Sequence, residues 1–101
     1  MESHDLTVLS IGDQVPEDVL AAGTDPTAED VTRAVASGRP VLVTLGGEGA
    51  GLLAAAAVYA WLGVRHFRAP ATAAAELRQV LDMVAAIQGT RPPVLSRRGL
   101  A

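Results

Sequence analysis

Three short runs predict β-strands over residues 6–11, 41–45 and 64–69, and the first two are apolar and rich in β-branched residues. The second run, VLVTL, is apolar on both faces apart from Thr44, which is typical of a strand buried in a parallel sheet. In the third run, VRHFRA, the period of two places Val64, His66 and Arg68 on one face and Arg65, Phe67 and Ala69 on the other.

Helical spacing of apolar residues appears in the segments between and after these strands. The spacing predicts a helix that begins at Thr27 and ends at Gly38, a second over residues 50–62 and a third over 72–88. Thr27 can cap the first helix, because its hydroxyl can accept a free backbone N–H and two acidic residues follow in the first turn. A short helical turn is predicted over residues 16–22, with a proline at its start.

The elements therefore follow the order β-α-β-α-β-α, which predicts an α/β fold around a small three-stranded parallel sheet. We expect one domain over residues 1–89. Residues 90–101, TRPPVLSRRGLA, are basic and contain two prolines. They form either a tail over the surface or a docking segment for an acidic partner.

Composition restricts the function. The net charge of -3 argues against nucleic-acid binding, and no apolar run is long enough to span a membrane. The first five residues are polar and acidic, unlike a secretory leader, so we expect a cytoplasmic protein. Cysteine, lysine and asparagine are all absent. Thiol chemistry and lysine chemistry are thereby excluded, and neither a metal site nor a cofactor is predicted.

The segment GGEGAG, residues 46–51, links a strand to a helix and is the first candidate site. Backbone N–H groups in such a loop can bind an anion, here with Gly46, Gly47 and Gly49 as the flexible positions. Glu48 would repel a phosphate, and the lysine and hydroxyl of a P-loop are missing. The loop is thus either a weak anion site or a tight turn eased by glycine.

The basic residues of the third strand are the second candidate. Arg68 stands where parallel α/β folds place their sites, at the carboxyl end of a strand, and could contact an anion or form a structural ion pair. His66 on the same face is either a ligand-binding residue or a hydrogen-bonded strand residue. No serine or cysteine lies nearby in sequence to make it the base of a nucleophilic pair.

Residues 38–89 resemble the C-terminal part of dihydropteroate synthase. The matching pieces are GRPVLVTLG, AAAAVYAWLGVRHFRAP and LRQVLDMVAAIQG. In that family the seventh strand typically has the form G-x-P-V-L-V-G-x-S-R-K, and an alanine-rich helix, an eighth strand and a final helix follow. The resemblance implies the last βα units of a pterin-binding TIM barrel that acts in folate synthesis.

The resemblance also implies that catalysis is lost. Gly46, Gly47 and Glu48 occupy the place of the family's S-R-K residues and cannot replace their hydroxyl, guanidinium or ammonium groups. In the family's R-x-H motif the arginine is matched by Arg68, whereas Pro70 stands in place of the histidine. The family joins a pterin methyl group to an aromatic amine with loss of pyrophosphate, and one arginine is too little to stabilise that charge. We therefore predict no catalytic residue.

A short piece of a barrel has helices on its outer face alone, so we expect its inner apolar face to be open unless helices or another molecule cover it. The family is commonly dimeric through helices near its C-terminus, which the resemblance transfers to residues 50–62 and 72–88. The predicted partner is a second copy or a larger folate-type enzyme. The candidate interface residues are Tyr59, Trp61, Leu77 and Val84.

Overall fold

A computed structural model describes residues 6–10 and 12–89 of the chain. Its strands are β1 (Thr7–Leu9), β2 (Leu20–Thr24), β3 (Val41–Thr44) and β4 (His66–Arg68). Its helices are α1 (Ala28–Ala36), α2 (Gly49–Leu62) and α3 (Ala74–Ile87), with a 3₁₀ turn (Ala71–Ala73) before the last helix. The basic segment predicted over residues 90–101 lies outside the described residues.

The predicted α/β class and parallel sheet are confirmed, but the sheet has four strands in the order β1-β4-β3-β2. The helical turn predicted over residues 16–22 is wrong, because Leu20–Thr24 forms the strand β2. The Leu20 N–H donates to the Pro40 carbonyl at 2.8 Å, and the Asp25 N–H donates to the Thr44 carbonyl at 2.9 Å. Pairing with β3 thus overrides the helical tendency of the alanines in this segment.

The order of the strands gives the sheet the character of a barrel arc. In a closed (β/α)₈ barrel the last strand lies beside the first. Here the last strand, β4, pairs with β3 on one side and with the first strand, β1, on the other. The edges of the sheet are therefore β1 and β2, and the connection between them must cross the whole sheet.

The three helices cover one face of this sheet and enclose the main core. Phe67 on β4 is fully buried there and is the largest side chain with no exposed surface. Thr27 caps α1 as predicted, its hydroxyl accepting the Asp30 N–H at 3.1 Å. The other members of the core include, from the sheet, Val41, Val43 and Leu45, and, from the helices, Val31, Leu52, Ala56, Leu77 and Leu81.

Residues 12–19, here called the strap, cross the other face of the sheet on the way from β1 to β2. The Asp13 carbonyl accepts a hydrogen bond from Arg68 Nη2 at 2.6 Å, and Asp18 lies close enough to act electrostatically on His66. Between these contacts Leu42 is only 2% exposed, although it does not belong to the core cluster under the helices. The expectation of an open inner face is therefore wrong, because the chain covers this face with its own strap.

Candidate functional site

The carboxyl ends of β2, β3 and β4 meet at one end of the sheet and form the candidate site. Asp25 follows β2 there and was not singled out by sequence reasoning. Both of its carboxylate oxygens lie 3.1 Å from the Gly46 nitrogen and accept its N–H. The Asp25 backbone has a φ of +47°, a conformation that aspartate tolerates better than most residues. The first amide of the glycine loop is therefore already occupied by a carboxylate.

The close contact with Asp25 leaves no room for a side chain at Gly46. A Cβ atom at Gly46 would lie 2.6 Å from Asp25 Oδ2 and 2.9 Å from Thr24 Cγ2. Both separations are shorter than van der Waals contact, so a side chain would push β2 and β3 apart or displace the carboxylate. Glycine here serves close packing of two strand ends.

We expect Gly46→Ala to lower the free energy of unfolding by about 1–3 kcal/mol, because the new methyl group collides with Asp25 and Thr24. Gly51→Ala in the same loop-to-helix segment is the matched control. It has open space around it and lies within α2, so it should stabilise by up to about 1 kcal/mol. Urea unfolding followed by circular dichroism measures both, and equal effects of the two substitutions would refute the packing role.

The rest of the glycine loop is exposed to solvent. Gly49 opens α2 with a φ of +58°, and Glu48 precedes it without capping the helix through its side chain. Gly47 lies between Gly46 and Glu48 and is also exposed. Two carboxylates therefore lie near the start of α2: Asp25, which is bound to the Gly46 N–H, and Glu48, which is the N-cap residue. Their negative charges oppose the binding of an anion there.

Arg68 and His66 lie on the strap side of β4 and do not converge on the glycine loop. Arg68 donates through Nη2 to the Asp13 carbonyl, and its buried Nε has no hydrogen-bond partner within the described part of the chain. His66, at the amino end of β4, lines a cleft at the opposite end of the sheet. The structure therefore separates the five residues predicted to bind an anion into three places.

Arg68→Met should loosen the strap, because methionine keeps much of the aliphatic length but removes the bond to the Asp13 carbonyl. We expect the free energy of unfolding to fall by about 1–2 kcal/mol, since the guanidinium is partly solvated. Amide exchange measured by mass spectrometry should accelerate in residues 12–19 more than in β3. Arg78→Met, on the exposed side of α3, serves as the control. Unchanged strap protection in Arg68→Met would contradict the assignment.

Tyr59 joins α2 to the same end of the sheet. Its hydroxyl donates to the Pro26 carbonyl at 2.7 Å, and the side chain is 9% exposed. Burial, aided by the negative charge of Asp25, raises the pKa of the Tyr59 hydroxyl above its ordinary value of 10.0. This residue is therefore an internal contact of the fold.

Among the other predicted interface residues, Trp61 is 55% exposed, whereas Leu77 and Val84 are buried in the main core. The side chains of Leu77 and Val84 therefore offer a partner little surface. The structure adds exposed apolar side chains that the sequence analysis did not single out: Val58 on α2, and Met83 and Ile87 on α3. Helical periodicity alone could have suggested Met83, which lies beside the buried stripe of α3.

Within residues 6–10 and 12–89, no group of three or more His, Asp or Glu side chains is placed to hold a metal ion. No helix in this described part is long and apolar enough to cross a membrane.

Comparison with known proteins shows what half of the chain is similar to. A stretch of 51 residues is 57% identical to a Mycobacterium leprae protein named inactive dihydropteroate synthase 2. This stretch covers 50% of this chain and 17% of the relative. Proteins of the same name from Mycobacterium bovis and Mycobacterium tuberculosis are 55% identical over 51 residues, covering 50% of this chain and 15% of theirs. The resemblance to dihydropteroate synthase is thus confirmed over half of the chain.

The solved structure of Mycobacterium tuberculosis Rv1207 is similar in fold. It superposes with a TM-score of 0.54 and 47% identity, over 65% of this chain and 27% of that one. The chain spans about a sixth of the length of the curated relatives it matches. No protein-family model matches it.

Proposed function

We propose that this chain is a non-catalytic module related to dihydropteroate synthase that associates with a second copy of itself through the outer surface of α2 and α3. The observation that supports the loss of catalysis most directly is the bond from Arg68 to the strap. Arg68 is the one residue that matches the family's charged motifs, and the chain uses it to hold its own backbone.

The space above the strands supports the same proposal. In a (β/α)₈ barrel the active site lies at the carboxyl ends of the strands and in the loops that follow them. Here the strap lies across the inner face, and the Asp25 carboxylate accepts the first amide of the glycine loop. Gly46, Gly47 and Glu48 add no group that could stabilise a departing pyrophosphate. The names of the curated relatives, which call them inactive, agree with this interpretation.

Association is supported by the exposed apolar surface of the two parallel, adjacent helices. Val58, Trp61, Met83 and Ile87 are each more than half exposed. Gln88 Nε2 donates to the Trp61 carbonyl at 2.8 Å, which brings the last turns of α2 and α3 together. Val58 and Met83 each lie about one helical turn before this point. These four residues, here called the outer patch, form an apolar surface of the kind that self-associates.

A synthase assay tests the catalytic part of the proposal. The purified chain should form no product from a pterin pyrophosphate substrate and an aromatic amine, and calorimetry should detect no binding of a pterin. A full-length dihydropteroate synthase in the same buffer provides the positive control. Turnover by the chain alone would contradict the proposal.

The alternative function is binding of a pterin or phosphate ligand by the loop of residues 46–51 together with Arg68. Its requirement is that Arg68 leave the Asp13 carbonyl and turn toward the loop. If this occurs, the amide hydrogens of the strap should exchange faster when the ligand is added, and Arg68→Met should abolish ligand binding. For either function we propose folate biosynthesis as the pathway, on the ground of the resemblance to dihydropteroate synthase.

A further inference from the structure

A cleft of about 520 Å³ lies at the amino end of the sheet, opposite to the glycine loop. Arg39 reaches it from the connection between α1 and β3, and Arg65 from the connection between α2 and β4. Thr7 of β1 and His66 of β4 complete its polar lining. Three separate segments of the chain, at Thr7, Arg39 and Arg65–His66, thus bring two arginines, a histidine and a threonine to one concave surface.

Neither guanidinium group forms an ion pair with a described residue, although the carboxylate of Asp18 lies near enough to the cleft to act on His66. In the part of the chain that the structure describes, an arginine nitrogen lies within 4 Å of a carboxylate oxygen in the pair Arg33–Asp30. Neither Arg39 nor Arg65 has a described carboxylate at that distance. Arg39 donates through Nε to the Asp18 carbonyl at 3.2 Å, which fixes the side chain. Its terminal nitrogens make no hydrogen bond to another described residue, so they remain able to donate to a ligand.

We propose that this cleft binds the phosphate group of a small molecule between Arg39 and Arg65, with His66 and Thr7 as further hydrogen-bond partners. Guanidinium groups hold phosphate oxygens through paired, charge-assisted hydrogen bonds. The basic cluster stands out on a chain whose net charge is -3. It is independent of the proposed non-catalytic role, because it lies at the other end of the strands.

A purely structural role of the two arginines makes a different prediction. Both follow the ends of helices, after Gly38 and Gly63, where cations are favourable next to the free carbonyl groups. In that case the arginines would stabilise the fold, and phosphate would bind no more tightly than any ion of the same charge. A titration with phosphate separates these roles.

His66 supplies the reporter for the titration. Burial lowers the pKa of its imidazole, with Asp18 opposing and Arg65 adding to that effect. A phosphate dianion in the cleft would favour the protonated ring, so the pKa of His66 should rise when phosphate binds. The chain has one further histidine, His4, and a His4→Gln variant assigns the two signals.

The experiment follows the imidazole signals of the full chain by NMR while inorganic phosphate replaces chloride at constant ionic strength. We expect saturable shifts at His66, and a rise in its pKa. Arg65→Gln and Arg39→Gln should each weaken binding roughly tenfold, the loss expected for one charged hydrogen-bond pair. Arg78→Gln removes an exposed arginine of α3 outside the cleft and should leave the affinity unchanged.

Three results would overturn the proposal. The first is a His66 signal that does not respond to phosphate beyond its response to chloride. The second is equal weakening by Arg78→Gln and Arg65→Gln, which would indicate general attraction by net charge. The third is an Arg65→Gln variant that is folded by circular dichroism and binds phosphate as the unchanged chain does.

Discussion

Replacement of Phe67 by alanine is expected to lower the free energy of unfolding by about 3–5 kcal/mol. Phe67 has no exposed surface, and it lies on β4, which pairs with β1 and β3 at once. Its removal would leave a cavity beneath α2 and α3 that the surrounding strands cannot close without losing their pairing. For a domain of this size that amount is a large part of the total stability.

Guanidinium unfolding monitored by circular dichroism measures the effect, and Ile87→Ala is the control. Ile87 is 65% exposed, so its truncation should change the free energy of unfolding by less than about 1 kcal/mol in the isolated chain. A Phe67→Ala protein as stable as Ile87→Ala would contradict the location of the core between the sheet and the helices.

Replacement of Trp61 by glutamate should dissociate the proposed dimer, because the new carboxylate would be buried among Val58, Met83 and Ile87 of the outer patch. Central aromatic residues of an interface contribute about 2–4 kcal/mol on truncation, and an added charge increases the loss. Since Trp61 is 55% exposed in the single chain, the monomer fold should tolerate the change.

Ala75→Glu is the matched control for this variant. It introduces the same residue on the exposed side of α3, near the opposite end of the helix from Ile87. Size-exclusion chromatography with light scattering should show a dimer for Ala75→Glu and a monomer for Trp61→Glu. A Trp61→Glu protein that elutes and scatters as the unchanged chain would exclude the outer patch as the interface.

Much of the fold could be predicted from the chain because local signals agreed with the long-range packing. The apolar run before Gly46, the Thr27 cap and the Gly63 end of α2 each specify one local structure. The strand β2 could not be predicted this way. Its alanines carry no strand preference, and it forms because β3 offers an unpaired edge for Leu20 and Thr24.

The candidate site could likewise be predicted only in part. The strand pattern and the family resemblance placed Arg68 correctly at the carboxyl end of a strand. Its hydrogen-bond partner, the Asp13 carbonyl, lies 55 residues away in the strap and could not be predicted. The contact of Asp25 with Gly46 spans 21 residues and depends on the strand β2 that was missed. Leu77 and Val84 were predicted to lie at an interface but are buried in the core, because which face of a helix is exposed depends on how the helices pack together.

The outer patch is also where the chain differs from a self-sufficient domain. Helix α2 has few polar residues on any side, so a solvent-facing surface on it remains apolar. A single small domain gains little from such a surface, whereas a dimer buries it. We therefore expect association to stabilise the fold and the melting temperature to rise with protein concentration.

Sedimentation equilibrium of the purified chain over a range of concentrations tests the proposed self-association most directly. We expect a mass that rises toward twice the chain mass of 10.4 kDa as the concentration increases, and no such rise for Trp61→Glu. A mass of 10.4 kDa at every concentration for the unchanged chain would contradict the proposal that a second copy covers α2 and α3.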